Sequence, residues 1–145
     1  MRKKIEILAP AKNLIQGIAA INAGADAVYI GAPQFGARTN ATNSIEDIAE
    51  MVRYAHLFNA QVFVVINTIL YDDELEICRK LIYQLYDIGI DALIIQDMAI
   101  LEMKLPPIVL HASTQTNNRD PKHVKFLRDV GIKRVVCLLY TSRCV

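Results

Sequence analysis

The sequence predicts an α/β fold of about six parallel strands with intervening helices, either an open doubly wound sheet or an incomplete TIM-type (β/α) barrel. Three observations carry this reading. Short apolar blocks such as Val62–Ile66 and Ala92–Ile95 suit strands buried on both faces, as in parallel sheets covered by helices. Stretches with helical periodicity separate those blocks. One short theme also recurs: Gly24-Ala25-Asp26-Ala27-Val28-Tyr29-Ile30 is echoed by Gly89-Ile90-Asp91-Ala92-Leu93-Ile94-Ile95 and, more weakly, by Gly131-Ile132-Lys133-Arg134-Val135-Val136-Cys137. Each copy follows a helix-like stretch, so its glycine suits a left-handed helix cap and its apolar run a buried strand.

Taken in order, the first strand is expected at Ile5–Ala9, ended by Pro10, and the first helix at Asn13–Asn22. The Gly24 theme leads into a second strand, Ala27–Ile30. Ser44, followed by Glu46 and Asp47, supplies an N-cap and first-turn acids for a helix over Ile45–Phe58. Asn59 takes the capping position before the third strand, Gln61–Ile66. In the third helix, Asp73–Asp87, residues Leu75, Cys78, Leu81, Ile82 and Leu85 share one face. The Gly89 theme opens the fourth strand, Ala92–Ile95; a short helix, Met98–Glu102, and a fifth strand, Ile108–His111, follow. Asp120-Pro121 starts the fifth helix, Pro121–Asp129, with proline at its first position. Lys133–Leu138 is the sixth strand. Such alternation with short links implies parallel strands joined by right-handed crossovers.

Composition removes several classes. A whole barrel needs about 250 residues, so 145 residues hold at most part of one. No Gly-x-Gly-x-x-Gly follows the first strand, which weakens a dinucleotide-binding sheet. Although 53% of residues are hydrophobic, no apolar run approaches the roughly 18–20 residues of a membrane span. A net charge of +1 carries no electrostatic footprint for nucleic acid or an acidic membrane. The apolar segment after the basic start is too short for a signal peptide, so a cytoplasmic location is expected. Cys78, Cys137 and Cys144 form no Cys-x-x-Cys pair, and His56 and His123 lack a ligand partner four residues on. Reduced thiols, and no metal or cluster held by this chain, are the expectation.

Six ordered motifs carry a family resemblance: Leu8-Ala9-Pro10-Ala11, the Gly24–Gly31 segment, Phe35-Gly36-Ala37-Arg38, Asn67-Thr68, Asp91–Asp97 and His111-Ala112-Ser113-Thr114-Gln115. Spanning Ile5 to Val136, they resemble the N-terminal half of the collagenase-like U32 peptidase family. The resemblance favours the barrel over the open sheet and makes residues 1–136 the opening arc of a barrel domain. It implies a parent enzyme that is a peptidase, acting on peptides bound across the barrel rim. The alternative is an oxygen-independent hydroxylase that modifies ribosomal or transfer RNA, with an iron–sulfur cluster held by cysteines beyond this chain. The arc itself is expected to be inactive and to self-associate through its open sheet edges. After Val136 the chain departs from the family pattern, so residues 137–145 are expected to be non-native.

Links that leave the strands are polar and longer than those that enter them, and sites in parallel α/β folds form at the strands' carboxyl ends. Catalytic residues are not identifiable there. The substrate-binding candidates are Arg38, Asn43, Asn67, Gln96, Asp97, His111, Ser113 and Gln115. Arg38 suits a carboxylate or phosphate, or else pins its loop to an acid such as Asp97. Asn40 and Asn43 serve as amide contacts or as loop formers. Asp97 either faces a substrate beside Gln96 or caps the following helix. Asn67, Thr68, Thr114 and Gln115 are neutral groups fit to line a pocket. His111 either hydrogen-bonds substrate or is structural; its spacing from Ser113 does not place the two for proton transfer, and no Gly-x-Ser-x-Gly elbow is present.

Overall fold

A computed structural model describes residues 5–36 and 43–137. Arg38, Asn40 and the tail from residue 138 onward lie outside the described residues. The strands are β1 (Leu8–Ala11), β2 (Ala27–Gly31), β3 (Gln61–Ile66), β4 (Ala92–Ile95), β5 (Val109–Ala112) and β6 (Arg134–Val135). Between them run α1 (Leu14–Asn22), α2 (Ile45–Leu57), α3 (Leu75–Asp87), α4 (Ala99–Glu102) and α5 (Pro121–Asp129), with single 3-10 turns at Asp72–Glu74 and Thr114–Thr116.

All neighbouring strands pair parallel, in the order β1-β2-β3-β4-β5-β6. A doubly wound sheet reverses its strand order at a switch point; this sheet never does. It also curls. Laid flat at about 4.8 Å per strand, six strands would hold β1 and β6 about 24 Å apart. Yet the Arg134 guanidinium on β6 donates to both carboxylate oxygens of Glu6, just before β1, at 2.6 and 3.0 Å. The strands therefore form an arc of a barrel, as the family resemblance implies.

Period-two alternation divides each strand between two environments. Outward residues, among them Val28, Ile30, Val62, Val64, Leu93 and Ile95, pack against the helices. The helices answer with single stripes: Ile48, Met51, Val52 and Ala55 on α2, and Cys78, Leu81, Ile82 and Leu85 on α3. Inward residues form a smaller cluster of Ala27, Phe63, Ala92 and Ile94, with Leu8, Tyr29 and Val65 against it. That inner face is the barrel lumen.

Local chemistry explains most boundaries. Ser44 closes a capping box on α2: its Oγ accepts from the Asp47 amide while Asp47 Oδ2 accepts from the Ser44 amide, each at 3.0 Å. The Asp120 carboxylate caps α5 through the Lys122 amide, with Pro121 in the first turn. The caps that precede β2, β4 and β6 are left-handed at Gly24, Gly89 and Gly131, and Asn59 does the same before β3 with φ of 55°. The aspartates of the recurring theme also clamp the sheet floor. Asp26 Oδ2 accepts from the Ile7 amide at 2.9 Å, and Asp91 Oδ2 from the Val62 amide at 2.7 Å.

Two strands differ from expectation by more than one residue at an end. β1 begins three residues later and runs through Pro10, which pairs with Tyr29. Proline is tolerated because β1 pairs only with β2 among the described residues, and an edge strand loses no ladder bond on its open side. β6 is reduced to two residues, since only His111 and Ala112 of β5 stand opposite it.

Candidate functional site

The lumen opens in two places. The upper cleft, at the carboxyl ends of the strands, has a volume of about 610 Å³. Its floor is apolar, from Leu8, Pro10, Val65 and Ile94, and Tyr29 contributes a ring to its wall. Its rim carries Asn67, Ser113, Thr114 and Gln115, with Lys12 beside the first strand. The lower opening, at the amino ends, is lined by Gln61, Phe63, Asp91, His111, Lys133 and Arg134 among others.

Backbone bonds hold the upper rim in place. Phe35 adopts a left-handed conformation (φ 63°), unusual for a bulky residue. Its carbonyl accepts from the Asn67 amide at 2.9 Å and from both the amide and hydroxyl of Thr68. The loop after β2 is thus fastened to the end of β3, which sets Asn67 at the cleft. Asn43 is buried and fastens the same loop from its other side, donating from Nδ2 to the Gly31 carbonyl at 3.1 Å.

At the end of β5, the Ser113 amide donates to the Ile95 carbonyl at 2.8 Å. The Ser113 carbonyl then accepts from the Thr116 hydroxyl at 2.9 Å and from Asn118 Nδ2 at 2.7 Å. Asn118 is 2% exposed and also donates to the Val136 carbonyl at 3.0 Å. It ties the exits of β5 and β6 together. Replacing Asn118 by alanine removes the Val136 carbonyl's side-chain donor and one of the donors to the Ser113 carbonyl, which keeps those of Thr116, and a loss of about 1–3 kcal/mol is expected. Faster amide exchange at Ser113 and Val136 is the check; unchanged exchange at both counts against the tie.

The sequence-derived candidates separate into three groups. Asn67, Ser113 and Gln115 come together on the upper rim. Asn43 and Asp97 engage the backbone; the two Asp97 oxygens accept from the Leu70 amide at 2.8 Å and the Ala99 amide at 2.9 Å. That carboxylate joins the loop after β3 to the start of α4. Gln96 follows β4 and lies outside the lining of the cleft. Arg38 falls among the undescribed residues.

His111 stands apart from Ser113, at the lower opening. It is buried, edge-on to Phe63 with ring centroids 4.8 Å apart, and the Arg134 guanidinium lies 5.3 Å above the Phe63 ring. Burial pushes the imidazole down to about 4; Arg134 adds to the effect and Glu6 opposes it. His111 is therefore neutral at pH 7 and part of a lumen floor of Glu6, Arg134, Phe63 and His111 that joins four strands. Lys12 and Tyr29 were not among the sequence-derived candidates. Tyr29 shares the inward side with Ala27 and Gly31, a side that an unbroken apolar run does not mark.

Among the described residues, no group of three or more His, Cys, Asp and Glu side chains comes together as a metal site. Cys78 lies fully buried on the inner stripe of α3, and burial pushes its thiol up to about 11, where it stays neutral. These residues do not fit an iron–sulfur cluster. No described helix is long and apolar enough to cross a membrane.

Known proteins share both sequence and fold with this chain. It is 56% identical over 133 residues to a 23S rRNA 5-hydroxycytidine synthase of Escherichia coli strain K12, covering 92% of this chain and 20% of that protein. It is 36% identical to tRNA hydroxylation protein P1 of Bacillus subtilis strain 168, covering 97% of this chain and 34% of the relative. An uncharacterized protease of Methanocaldococcus jannaschii is 32% identical over 138 residues, 94% of this chain and 34% of that protein. The chain thus spans between a fifth and about a third of the length of these relatives. In fold it is similar to a solved U32 peptidase, with a TM-score of 0.72 over 92% of this chain and 58% of that one at 10% identity. It is similar too to 3-hexulose-6-phosphate synthase of Salmonella typhimurium, with a TM-score of 0.64 over 91% of this chain and 63% of that one at 18% identity. The family model for peptidase family U32 matches residues 12–138, nearly the whole of the arc, and the chain belongs to that family.

Proposed function

We propose that this chain is the opening arc of an enzyme that hydroxylates a base in ribosomal or transfer RNA, and that its upper cleft faces the substrate. The observation that carries this reading is the order of similarity. The relatives at 56% and 36% identity are both named for RNA hydroxylation, and the protease-named relative stands at 32%. The site's chemistry supports the same side. A Ser–His peptidase needs its nucleophile beside its base, and here Ser113 lines the upper cleft while His111 lines the lower opening. Neutral amides and hydroxyls on the upper rim suit substrate positioning instead.

The cofactor implied by the family resemblance is an iron–sulfur cluster. The described residues offer it no ligand set, and on this reading its ligands lie outside the described residues. What the chain supplies is the fastened rim, the apolar floor of the cleft, and the ionic lumen floor beneath.

Deleting the gene and digesting total ribosomal and transfer RNA to nucleosides tests the reading. One hydroxylated nucleoside should disappear by mass spectrometry and return with the intact gene. An unchanged nucleoside profile would sink the proposal.

A further inference from the structure

We infer that the upper cleft receives a single unpaired RNA base, stacked on Tyr29 and met at its edge by Asn67, Ser113 and Gln115, with Lys12 on an adjoining phosphate. This rests on the RNA-modifying reading above and names the part of the substrate that enters the site. Three features of the cleft lead to it.

The first is its lining. An apolar floor and an aromatic wall suit the faces of a flat ring, while amides and hydroxyls, able both to donate and to accept, suit a base edge. Lys12 lies among the lining residues, where its ammonium can meet a backbone phosphate.

The second is position. The lining descends from the loops to Leu8 and Tyr29 inside the lumen, so a ligand enters end-on. A base within a duplex cannot do this, and enzymes that act on bases take them out of the stack. An extended peptide pairs along a free strand edge, whereas this cleft lies across the strand ends. The third feature is size: about 610 Å³ falls within the range of small-ligand pockets, roughly 300–1,000 Å³.

The test uses the full-length protein and a short single-stranded RNA carrying 5-bromouracil at one position. Ultraviolet crosslinking followed by peptide mass spectrometry should place the crosslink on the β2 peptide that contains Tyr29. Tyr29→Leu should weaken RNA binding about tenfold, the size of one lost stacking contact, while Tyr29→Phe retains it. Lys12→Gln should lower the slope of log affinity against log salt by about one, the mark of a lost phosphate contact. Crosslinks elsewhere, with binding unchanged in both Tyr29→Leu and Lys12→Gln while RNA is still hydroxylated, overturn the cleft assignment and leave the RNA reading intact. An absence of RNA binding in every arm overturns both. A crosslink competed away by an oligopeptide but not by unlabelled RNA overturns the assignment in favour of a peptide site.

Discussion

Phe63→Ala is expected to cost about 3–5 kcal/mol, the range for removing a fully buried aromatic ring. Phe63 is 1% exposed and is the largest fully buried side chain of the described residues. It stands between Tyr29 on β2 and Ala92 on β4, and meets His111 edge-on at 4.8 Å. The small residues around it, Ala27 and Ala92, cannot expand into the space it would leave. The Arg134 guanidinium above the ring would also lose its cation–π partner. The relatives are several times longer than this chain, and in a protein of that length a single melting transition is a poor readout. Hydrogen exchange is more direct: protection of the β3 and β5 amides should fall by about two to four powers of ten. Protection within tenfold of the parent would show that the lumen cluster is not a central support of the arc.

This support was only half legible in the sequence, and the reason is geometric. A strand buried on both faces shows an unbroken apolar run, so β3 and β4 were easy to place. The same run hides which residues face the helices and which face the lumen. Phe63 and Val64 look alike in the sequence, yet they lie on opposite sides of the sheet. Tyr29 was passed over for the same reason. Capping positions were readable because a left-handed residue leaves a chemical mark, whether Gly24 or Asn59. Pro10 misled because its cost depends on an edge, and edges are known only once strand order is known.

On the rim, position after a strand was enough to find Asn67, Ser113 and Gln115. Asn118 was missed because a polar residue in a loop gives no sign that it will be buried between two strand exits. Pairing of Glu6 with Arg134, 128 residues apart, follows only from the curl of the sheet. Strand order, not hydrophobic pattern, separates the barrel arc from a doubly wound sheet. That order is a property of the whole chain and has no local signal.

Acid should weaken the arc through His111, and the direction follows from proton linkage. The folded imidazole titrates at about 4 instead of 6.5, mainly because it is buried. Between those values the unfolded chain holds a proton that the folded one refuses, so stability falls as pH falls. The contribution is fully present above about pH 6.5 and fully lost below about pH 4. At about 1.4 kcal/mol per pKa unit this amounts to about 3 kcal/mol. Carboxylates titrate in the same window, so the comparison with His111→Leu isolates the effect: the slope of stability against pH from 6.5 to 4 should be shallower in the variant by up to one proton. The ionic floor supplies a second handle. Arg134 holds the imidazole down while Glu6 opposes it, so Arg134→Gln removes the repulsion and leaves the carboxylate. The His111 titration, followed by its Cε1 resonance, should then move upward toward 6.5. An imidazole that already titrates near 6.5 with Arg134 in place would mean that the lumen floor is open to water, and the burial that joins His111, Phe63 and Arg134 would have to be abandoned.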